Sequence, residues 1–409
     1  MTAPTFETWA EGNQSLLREA VARVRAALER RESIPEPAVV APSACALDTL
    51  VAAFGLSPFE RDILVLCAGV ELDASFAACC AAGQGDPGRP YPTFGLALAT
   101  LPGAHWSALS PASPLRHWRL VEVAAGDLVT QGRLHIDERV LHYLTGVSHL
   151  DVRLAGILEP VPLPSELPPS QERAACRIAA FWSAQATPGW PVVQLIGDAP
   201  GVARAIAGRA CVAVRLGLHS IRVGDVPVSA EEREAFLRLW ERESVLEGSA
   251  LLLEAEELEG PERARVRSLS ERVRGPVLIS LREPLPGIRR TEIRFDVARP
   301  LPQEQLGLWR QQLGSASMQL NGKLDAIVAH FSLDTEAIQS ACAAVLGAPL
   351  ALPDSSDDLD ERIWEACRAQ ARPRLDQLAQ RIEPVAEWDD LVLPAEQKRL
   401  LGEIAGQVR

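Results

Sequence analysis

Val192-Val-Gln-Leu-Ile-Gly-Asp-Ala-Pro-Gly-Val-Ala-Arg204 is the stretch on which the fold turns. Its first five residues are a short apolar run with no polar alternation beyond one Gln, the pattern of a strand buried on both faces. Gly197 to Gly201 supplies turn chemistry, and helical spacing follows to about residue 210. The same alternation continues downstream. A strand is expected at 211–216, a helix at 229–246, a strand at Ala250-Leu-Leu-Leu253, a helix at 260–273, a strand at Pro276-Val-Leu-Ile-Ser280 and a last strand at 291–297. A helix over 170–184 precedes the series. Short apolar strands separated by helices specify a parallel sheet covered on both faces, and such sheets bind ligands beyond the carboxyl ends of their strands. After Pro302 the text turns wholly helical, at 302–313, 323–331, 334–346 and 357–382, with a kink expected at Pro373.

The turn after the first strand sits where a phosphate-binding loop would sit. Aligned with GxxxxGK[ST], Gly197 takes the first glycine position. Val202 stands at the second glycine, Ala203 at the lysine and Arg204 at the Ser/Thr that would ligate magnesium. A phosphate cradle needs approachable backbone amides, a Lys charge on the β- and γ-phosphates and a hydroxyl for the metal. Only Gly197 and Gly201 remain as flexible backbone, and Arg204 brings a bulky fork to the metal position. The third strand runs into Glu254-Ala255-Glu256. Glu254 stands where a magnesium-binding carboxylate would be, and Ala255 stands at the catalytic base and cannot polarise water. Ser280 is the one small polar candidate for a sensor at the next strand end. Four altered positions in register argue for a nucleotide site that does not hydrolyse. Weak nucleotide binding without turnover is the second reading, and a domain that never held a phosphate loop is the third.

Upstream, the chain is mostly helical. Leu16, Leu17, Val21, Val24 and Leu28 fall on one face of a helix over 5–31, which the Pro-rich stretch 34–42 ends. Helices follow at 45–54, 58–70 and 73–82. The second begins with Ser57 as cap, Pro58 at the first helical position and Glu60 completing a capping box. Strands at 118–123 and 132–136 around a turn at Gly126 make a hairpin, and helices at 137–145 and 149–157 close the region. Helices followed by a hairpin resemble a winged-helix domain. Residues 1–150 carry eleven Arg against sixteen acidic residues, the helix Asp73–Ala82 has no Arg or Lys, and the wing offers only Arg133. Entry into a DNA groove without cations lacks the electrostatic part of affinity, so protein docking is the favoured role and DNA binding the alternative. Glu159 to Pro169 holds five prolines in eleven residues and marks a linker.

Composition fits this reading. The 409 residues suffice for several domains; 47% are hydrophobic and 23% charged, which excludes global disorder. The formal charge of −13 disfavours nucleic acid and anionic membrane as partners. No run approaches the ~20 apolar residues of a membrane helix, and the N-terminus lacks a secretory pattern. The eight Cys sit mostly in apolar helical text without zinc spacing, which points to buried reduced thiols and a cytoplasmic location. The only lysines are Lys323 and Lys398.

With these residues in view, the chain resembles the AAA+ ATPase family. The element order, the segment Phe295-Asp-Val-Ala-Arg-Pro-Leu-Pro-Gln-Glu-Gln-Leu-Gly-Leu-Trp309 and the helices beyond it are similar to a AAA+ core with its lid. Leu56-Ser-Pro-Phe-Glu-Arg-Asp-Ile-Leu64, Asp86-Pro-Gly-Arg-Pro-Tyr-Pro-Thr-Phe-Gly95, His135-Ile-Asp-Glu-Arg-Val-Leu-His-Tyr-Leu144 and Arg362-Ile-Trp-Glu-Ala-Cys-Arg-Ala-Gln-Ala-Arg-Pro-Arg-Leu375 resemble the bacterial AAA+ proteins of extracellular contractile injection systems. The resemblance covers essentially the whole chain. It implies a winged-helix-like domain at 1–158, a linker at 159–169, a degenerate AAA+ α/β subdomain at 170–300, a helical lid at 301–383, and at 384–409 the linker that opens a second AAA+ module beyond this sequence. Ala386-Glu-Trp-Asp-Asp-Leu-Val-Leu-Pro394 carries that last expectation. The resemblance further implies a homo-oligomeric, hexameric parent that uses ATP and magnesium in the second module to remodel proteins of the injection particle. This chain would supply ring packing and substrate docking. No cofactor or metal is expected here. Gly197, Gly201 and Arg204 are left as weak or vacant phosphate contacts, Glu254 as a relic of the metal site, and no catalytic residue carries over.

Other clusters admit two readings each. His117, Trp118 and Arg119 are a core edge or a peptide-binding site. His135, His142 and His149 recur every seven residues without a convergent carboxylate, so no metal is expected there. Arg289-Arg290 are surface charge or an arginine finger. Arg368, Arg372 and Arg374 are interface salt bridges or nucleotide sensors.

Overall fold

The continuous apolar runs read from the sequence become strands with a helix layer on each face. The computed structural model describes residues 6–29, 45–124, 128–163, 166–184, 189–256, 258–320, 323–347, 359–371 and 392–408. The expected break at 34–42, the turn at Gly126, the kink at Pro373, Arg372, Arg374 and most of the segment Ala386–Pro394 lie outside them. The chain divides into two units, residues 1–298 and 299–409.

The first unit begins with helices α1 (Phe6–Leu28), α2 (Ala46–Phe54), α3 (Pro58–Leu72), α4 (Phe76–Gln84), α5 (Phe94–Thr100) and α6 (Pro114–His117). Strands β1 (Val121–Val123) and β2 (Leu134–Ile136) pair antiparallel, and α7 (Glu138–Leu144) follows. The apolar face of α1 is buried through Leu17, Val21, Val24 and Leu28 against Phe59, Ile63 and Leu66 of α3. The start of α3 is as its sequence dictates: the Glu60 N–H donates to Ser57 Oγ at 3.2 Å, and Glu60 Oε2 accepts from the Ser57 N–H at 2.9 Å. Such a cap is worth about 1 kcal/mol. Helix α5 was hidden in the sequence by flanking prolines, and Thr93 caps it by accepting from the Leu96 N–H at 3.0 Å. Residues 149–157 form successive turns and no helix, which corrects the expectation there. Gly156 and Pro160 weaken a helix at that point, and the Asp151 side chain is engaged elsewhere.

The second half of this unit is the α/β layer. Its elements are β3 (Glu159–Pro160), α8 (Pro169–Ser183), β4 (Val192–Ile196), α9 (Pro200–Ala213), β5 (Gly217–Arg222), α10 (Ala230–Leu246), β6 (Ser249–Ala255), α11 (Gly260–Arg272), β7 (Val277–Leu281) and β8 (Glu292–Asp296). The strand order is β3-β5-β6-β7-β4-β8, parallel throughout except for β3. Successive residues of β6 serve opposite faces. Ala250 and Leu252 pack with Ile178 and Trp182 of α8 and Ile206 of α9, whereas Leu251 and Leu253 pack with Phe236 and Trp240 of α10 and Val266 of α11. Two covered faces explain why the strands read as unbroken apolar runs. The strand expected at 211–216 is instead the last turn of α9, and β5 starts at Gly217. The run Cys211–Val214 is apolar in either state, and the helix wins because Ile206, Ala207, Ala210 and Cys211 bury one helical face. The proline-rich segment contributes β3, at the edge of the sheet where missing N–H groups are tolerated.

The second unit contains α12 (Pro302–Leu313), α13 (Lys323–His330), α14 (Thr335–Gly347), α15 (Leu359–Ala371) and a last helix, Ala395–Val408. Trp309, Ile327, Ile338, Ala341, Ile363 and Cys367 form its core. Among the described residues no helix is long and apolar enough to cross a membrane.

Candidate functional site

Strand β4 comes first in the parallel series yet lies between β7 and β8: the chain leaves it toward β5 on one side, and the connection from β7 crosses it to reach β8 on the other. Its carboxyl end is the topological switch point, where a doubly wound sheet places its ligand. The turn Gly197–Ala199 occupies that point. Register aligns Arg222, Glu254, Ser280, Leu195 and Phe295 across five strands, so Glu254 and Ser280 lie beside the end of β4.

The turn is built for chain packing. The Gly197 N–H donates to the Leu281 carbonyl at 2.8 Å and is unavailable to an anion. A Cβ at Gly197 would fall 2.3 Å from the Val297 carbonyl oxygen, so the glycine permits the chain leaving β8 to pass close by. Helix α9 begins only three residues after β4, at Pro200, which has no N–H to offer. Gly201 is the second residue of that helix and gives the loop no extra freedom. Val202 and Ala203 are buried in the apolar layer beneath the sheet. The position aligned with the phosphate lysine therefore faces the core.

Arg204 and Glu254 meet. Arg204 Nε lies 2.9 Å and Nη2 2.6 Å from Glu254 Oε1. The side chains are 34% and 14% exposed. Because solvent screens it, the pair contributes on the order of 1 kcal/mol. Chemically, the guanidinium neutralises the Glu254 carboxylate. Ala255 is buried, Glu256 is exposed near Arg282, and Ser280 is buried next to Glu254 in the sheet. This arrangement does not fit a magnesium–triphosphate: the lysine is missing, one amide is consumed, and the carboxylate is occupied. A cavity of about 310 Å³ opens at the carboxyl ends of β6 and β7, lined by Ala255, Glu256, Arg263, Leu281 and Arg282, and Leu281 is also the residue whose carbonyl takes the Gly197 N–H.

A larger buried polar cluster escaped the sequence reading. It joins the N-terminal helical region to α10. Arg139 of α7 donates from Nε to Glu243 at 2.9 and 3.2 Å and from Nη2 to Glu247. Arg242 donates from Nη2 to Asp151 at 2.5 Å and from Nη1 to the Arg119 carbonyl at 2.8 Å, and it lies 3.2 Å from Asp137. Arg153 holds Asp137 at 2.6 Å and Asp151 at 2.7 Å from the other side. Arg139, Glu243 and Arg242 expose 2%, 1% and 0% of their side chains. Burial raises the Glu243 carboxyl, and the Arg139 charge pulls it part of the way back. Burial also pushes Asp151 up, but hydrogen bonds and charge from Arg153, with the charge of Arg242, more than offset this and hold it below the usual carboxylate range. One signal was available: Glu243 continues the apolar stripe Phe236, Leu239, Trp240, so a charged residue stood where helical spacing demanded burial.

The other clusters resolve locally. The His117-Trp118-Arg119 trio is at this same junction. Arg119 adopts a left-handed backbone with φ of 51°, its carbonyl taken by Arg242, while Trp118 packs on Phe54. Burial lowers the His117 pKa, and the charges of Arg238 and Arg274 lower it further. His142 Nδ1 lies 2.6 Å from His149 Nε2, and His135 stands exposed opposite Glu122. Among the described residues no group of three or more His, Cys, Asp or Glu could hold a metal. Arg290 donates to the carbonyls of Ser270, Val273 and Trp190, binding the end of α11, while Arg289 is exposed. Arg368 is exposed on α15.

Comparison with known proteins adds two matches. Residues 2–158 match the family profile "Winged helix domain, variant", and residues 301–373 match "Contractile injection system ATPase helical domain". Among solved structures, similarity extends to PCH-2 of C. elegans, at 10% identity over 56% of this chain and 77% of that one, TM-score 0.39. The FIGL-1 AAA domain is similar at 14% identity over 63% and 96%, TM-score 0.37. Trip13 in the HORMA:CdnC:Trip13 complex of E. coli MS115-1 is similar at 13% identity over 52% and 94%, TM-score 0.33. A search of curated proteins finds no match.

Proposed function

We propose that this chain is part of a AAA+ ATPase of a contractile injection system and has a non-catalytic role there: this region packs the ring and docks protein substrates, and ATP is hydrolysed elsewhere in the assembly. The observation that carries the reading is the ion pair between Arg204 and Glu254, closed across the place of the missing lysine and metal. Hydrolysis requires a charge that grips the β- and γ-phosphates and a base that orients water. Ala203 and Ala255 supply neither, and both are buried. The assembly is a cytoplasmic homo-oligomer, with a hexamer as its closed form. A following module binds ATP and magnesium, and proteins of the injection particle are the substrates. The acidic helices of the winged-helix region favour proteins over nucleic acid as what they contact.

The test is calorimetric titration of the chain with ATP and magnesium, joined to a phosphate-release assay. Heats indistinguishable from dilution and no release support the reading. Turnover on the order of 1 per second, ordinary for an enzyme, would sink it.

A further inference from the structure

We propose that the free edge of β8 binds an extended segment of a partner protein as an added strand, an inference that rests on the reading above that this region docks proteins and names the form in which it takes them. The phase of the β4–β8 ladder fixes which backbone groups are free. The Val192 N–H donates to the Thr291 carbonyl at 2.9 Å, and the Val297 N–H donates to the Ile196 carbonyl at 2.7 Å. Successive residues of a strand send their N–H and C=O groups to opposite sides, so Thr291, Ile293, Phe295 and Val297 face β4. Glu292, Arg294 and Asp296 turn theirs outward, where no further strand follows among the described residues.

The two edges of the sheet differ. At the opposite edge the Val161 N–H donates to the Leu218 carbonyl of β5 at 2.9 Å, which turns Pro160 and Pro162 outward. Neither has an N–H to give, so that edge cannot template a strand. Strand β8 contains no proline, and its register with β4 runs unbroken from Glu292 to Asp296. Its outward residues carry charge instead. Two copies of β8 paired antiparallel about Arg294 would set Arg294 against Arg294 and Glu292 against Asp296, and both pairings repel. The edge disfavours its own copy and stays open to a strand of another sequence.

Side chains define that sequence. On the face covered by α8, Ile293 is half-buried and Phe295 buried. Phe181 of α8 packs on Phe295 with ring centroids 6.2 Å apart, yet is 48% exposed. An apolar side chain on an added strand would lie beside Ile293 and Phe295 and cover Phe181. On the other face Glu292 is already engaged, accepting from Arg294 Nη2 at 2.5 Å and from Gln194 Nε2 at 2.7 Å. Asp296 is exposed and has no ion-pair partner among the described residues. The edge therefore fits a segment with apolar residues at alternate positions and a Lys or Arg between them at the level of Asp296. In strand addition, main-chain bonds supply affinity and alternate side chains supply selectivity.

The experiment is a fluorescence-anisotropy titration of the full chain with a short labelled peptide that alternates Val and Thr, with Lys at one central Thr position. Two further peptides carry backbone N-methyl groups, one on the Val residues and the other on the Thr and Lys residues. Only one of these sets can direct its N–H groups to β8. Wild type should bind one N-methylated peptide like the parent and the other at least about tenfold more weakly. Arg294→Pro deletes an outward N–H and no bond to β4, and should weaken the parent peptide by about tenfold. Asp296→Asn should remove the preference for Lys over Gln at the central position. Equal binding of the two N-methylated peptides overturns strand addition. No binding of the parent peptide overturns the edge as a site and leaves protein docking to other surfaces. A wild-type oligomer that Arg294→Pro dissociates, seen by sedimentation velocity, assigns the edge to a second copy of this chain and likewise overturns the proposal.

Discussion

Replacing Arg242 by Met keeps the length and apolar stem of the side chain and removes its guanidinium. Four groups then lose a donor: Asp151, Asp137 and the Trp118 and Arg119 carbonyls. Removing one member of a fully buried charge cluster typically costs 3–5 kcal/mol, because the remaining charges stay buried. Here Arg153 still holds both carboxylates, at 2.6 and 2.7 Å, so the cost belongs at the lower end, about 3 kcal/mol. The loss is local to the junction between α7, the turns at 151–158 and α10. Hydrogen exchange read peptide by peptide is therefore the appropriate assay. Amides of α7 and of the carboxyl half of α10 should exchange about a hundredfold faster, whereas those of β4 and β7 stay protected. A double-mutant cycle with Asp151→Asn should show coupling well above the ~0.5 kcal/mol of independent sites. Additive effects, or uniform loss of protection across the sheet, would refute the view that Arg242 ties the two regions together.

Other outcomes follow from the same geometry. Gly197→Ala forces the chain after β8 away from a Cβ that would lie 2.3 Å from the Val297 carbonyl oxygen; a loss of about 1–3 kcal/mol in urea unfolding is expected, and a neutral result would show the approach to be looser. The triple change Val202→Gly, Ala203→Lys, Arg204→Ser restores the phosphate motif in sequence, yet calorimetry should find no magnesium-dependent ATP binding tighter than about 1 mM, because the helix still starts at Pro200 and the new ammonium enters an apolar layer. The folded state holds Asp151 below its ordinary value, so the stability it confers is full above about pH 4 and is lost as pH falls through the folded value. Between pH 6 and pH 3 the Asp151→Asn variant should therefore lose less stability than wild type in urea titrations. Burial pushes the thiols of Cys80, Cys211 and Cys367 up to about 12, whereas Cys176 is exposed. A thiol reagent at pH 8 should label Cys176 rapidly in the native protein and the buried three only on unfolding, as mass spectrometry of labelled peptides would reveal.

Much of the α/β architecture was legible because both sheet faces are covered. Val192–Ile196 and Ala250–Leu253 are apolar at every position or nearly so, and Pro191 and Gly197 bound the first. The residues at 211–216 failed for the same reason: an apolar run buried on a helix looks like one buried in a sheet, and only the partners in space decide. Helix α5 was missed because a helix of seven residues shows barely two turns of periodicity, and its cap, Thr93, lies among prolines. At the site, the loss of Lys and of the catalytic base could be read one residue at a time. The closure of Arg204 on Glu254 could not, since the two are fifty positions apart and meet only through the register of β4, β7 and β6. The junction cluster was hidden for a related reason. Its members come from α7, the turns at 151–153 and α10, and charged residues in an amphipathic helix are read by default as solvated.

On the reading proposed above, that closure separates a site replaced from a site abandoned. Without Arg204, Glu254 would stand beside buried Ser280 and Ala255 with its charge uncompensated, at a depth where an unpaired carboxylate is costly. Relief could come from losing the carboxylate or from gaining a cation. The chain has the second. Arg204 projects from the first turns of α9, and its planar fork presents two N–H groups to one carboxylate oxygen, a geometry that an ammonium on a flexible stem would hold less firmly. The pair ties α9 to β6, as a metal shared between the loop and the strand would, but it needs no ligand. Helix α9 is thus fixed to the sheet whether or not nucleotide is present. Strand β6, in turn, is joined through Gly248, at φ of 60°, to the helix α10 that grips the N-terminal region. A seam of ion pairs and backbone links from the winged-helix region to the turn after β4, needing no ligand along it, is the property that the proposed packing and docking role calls for.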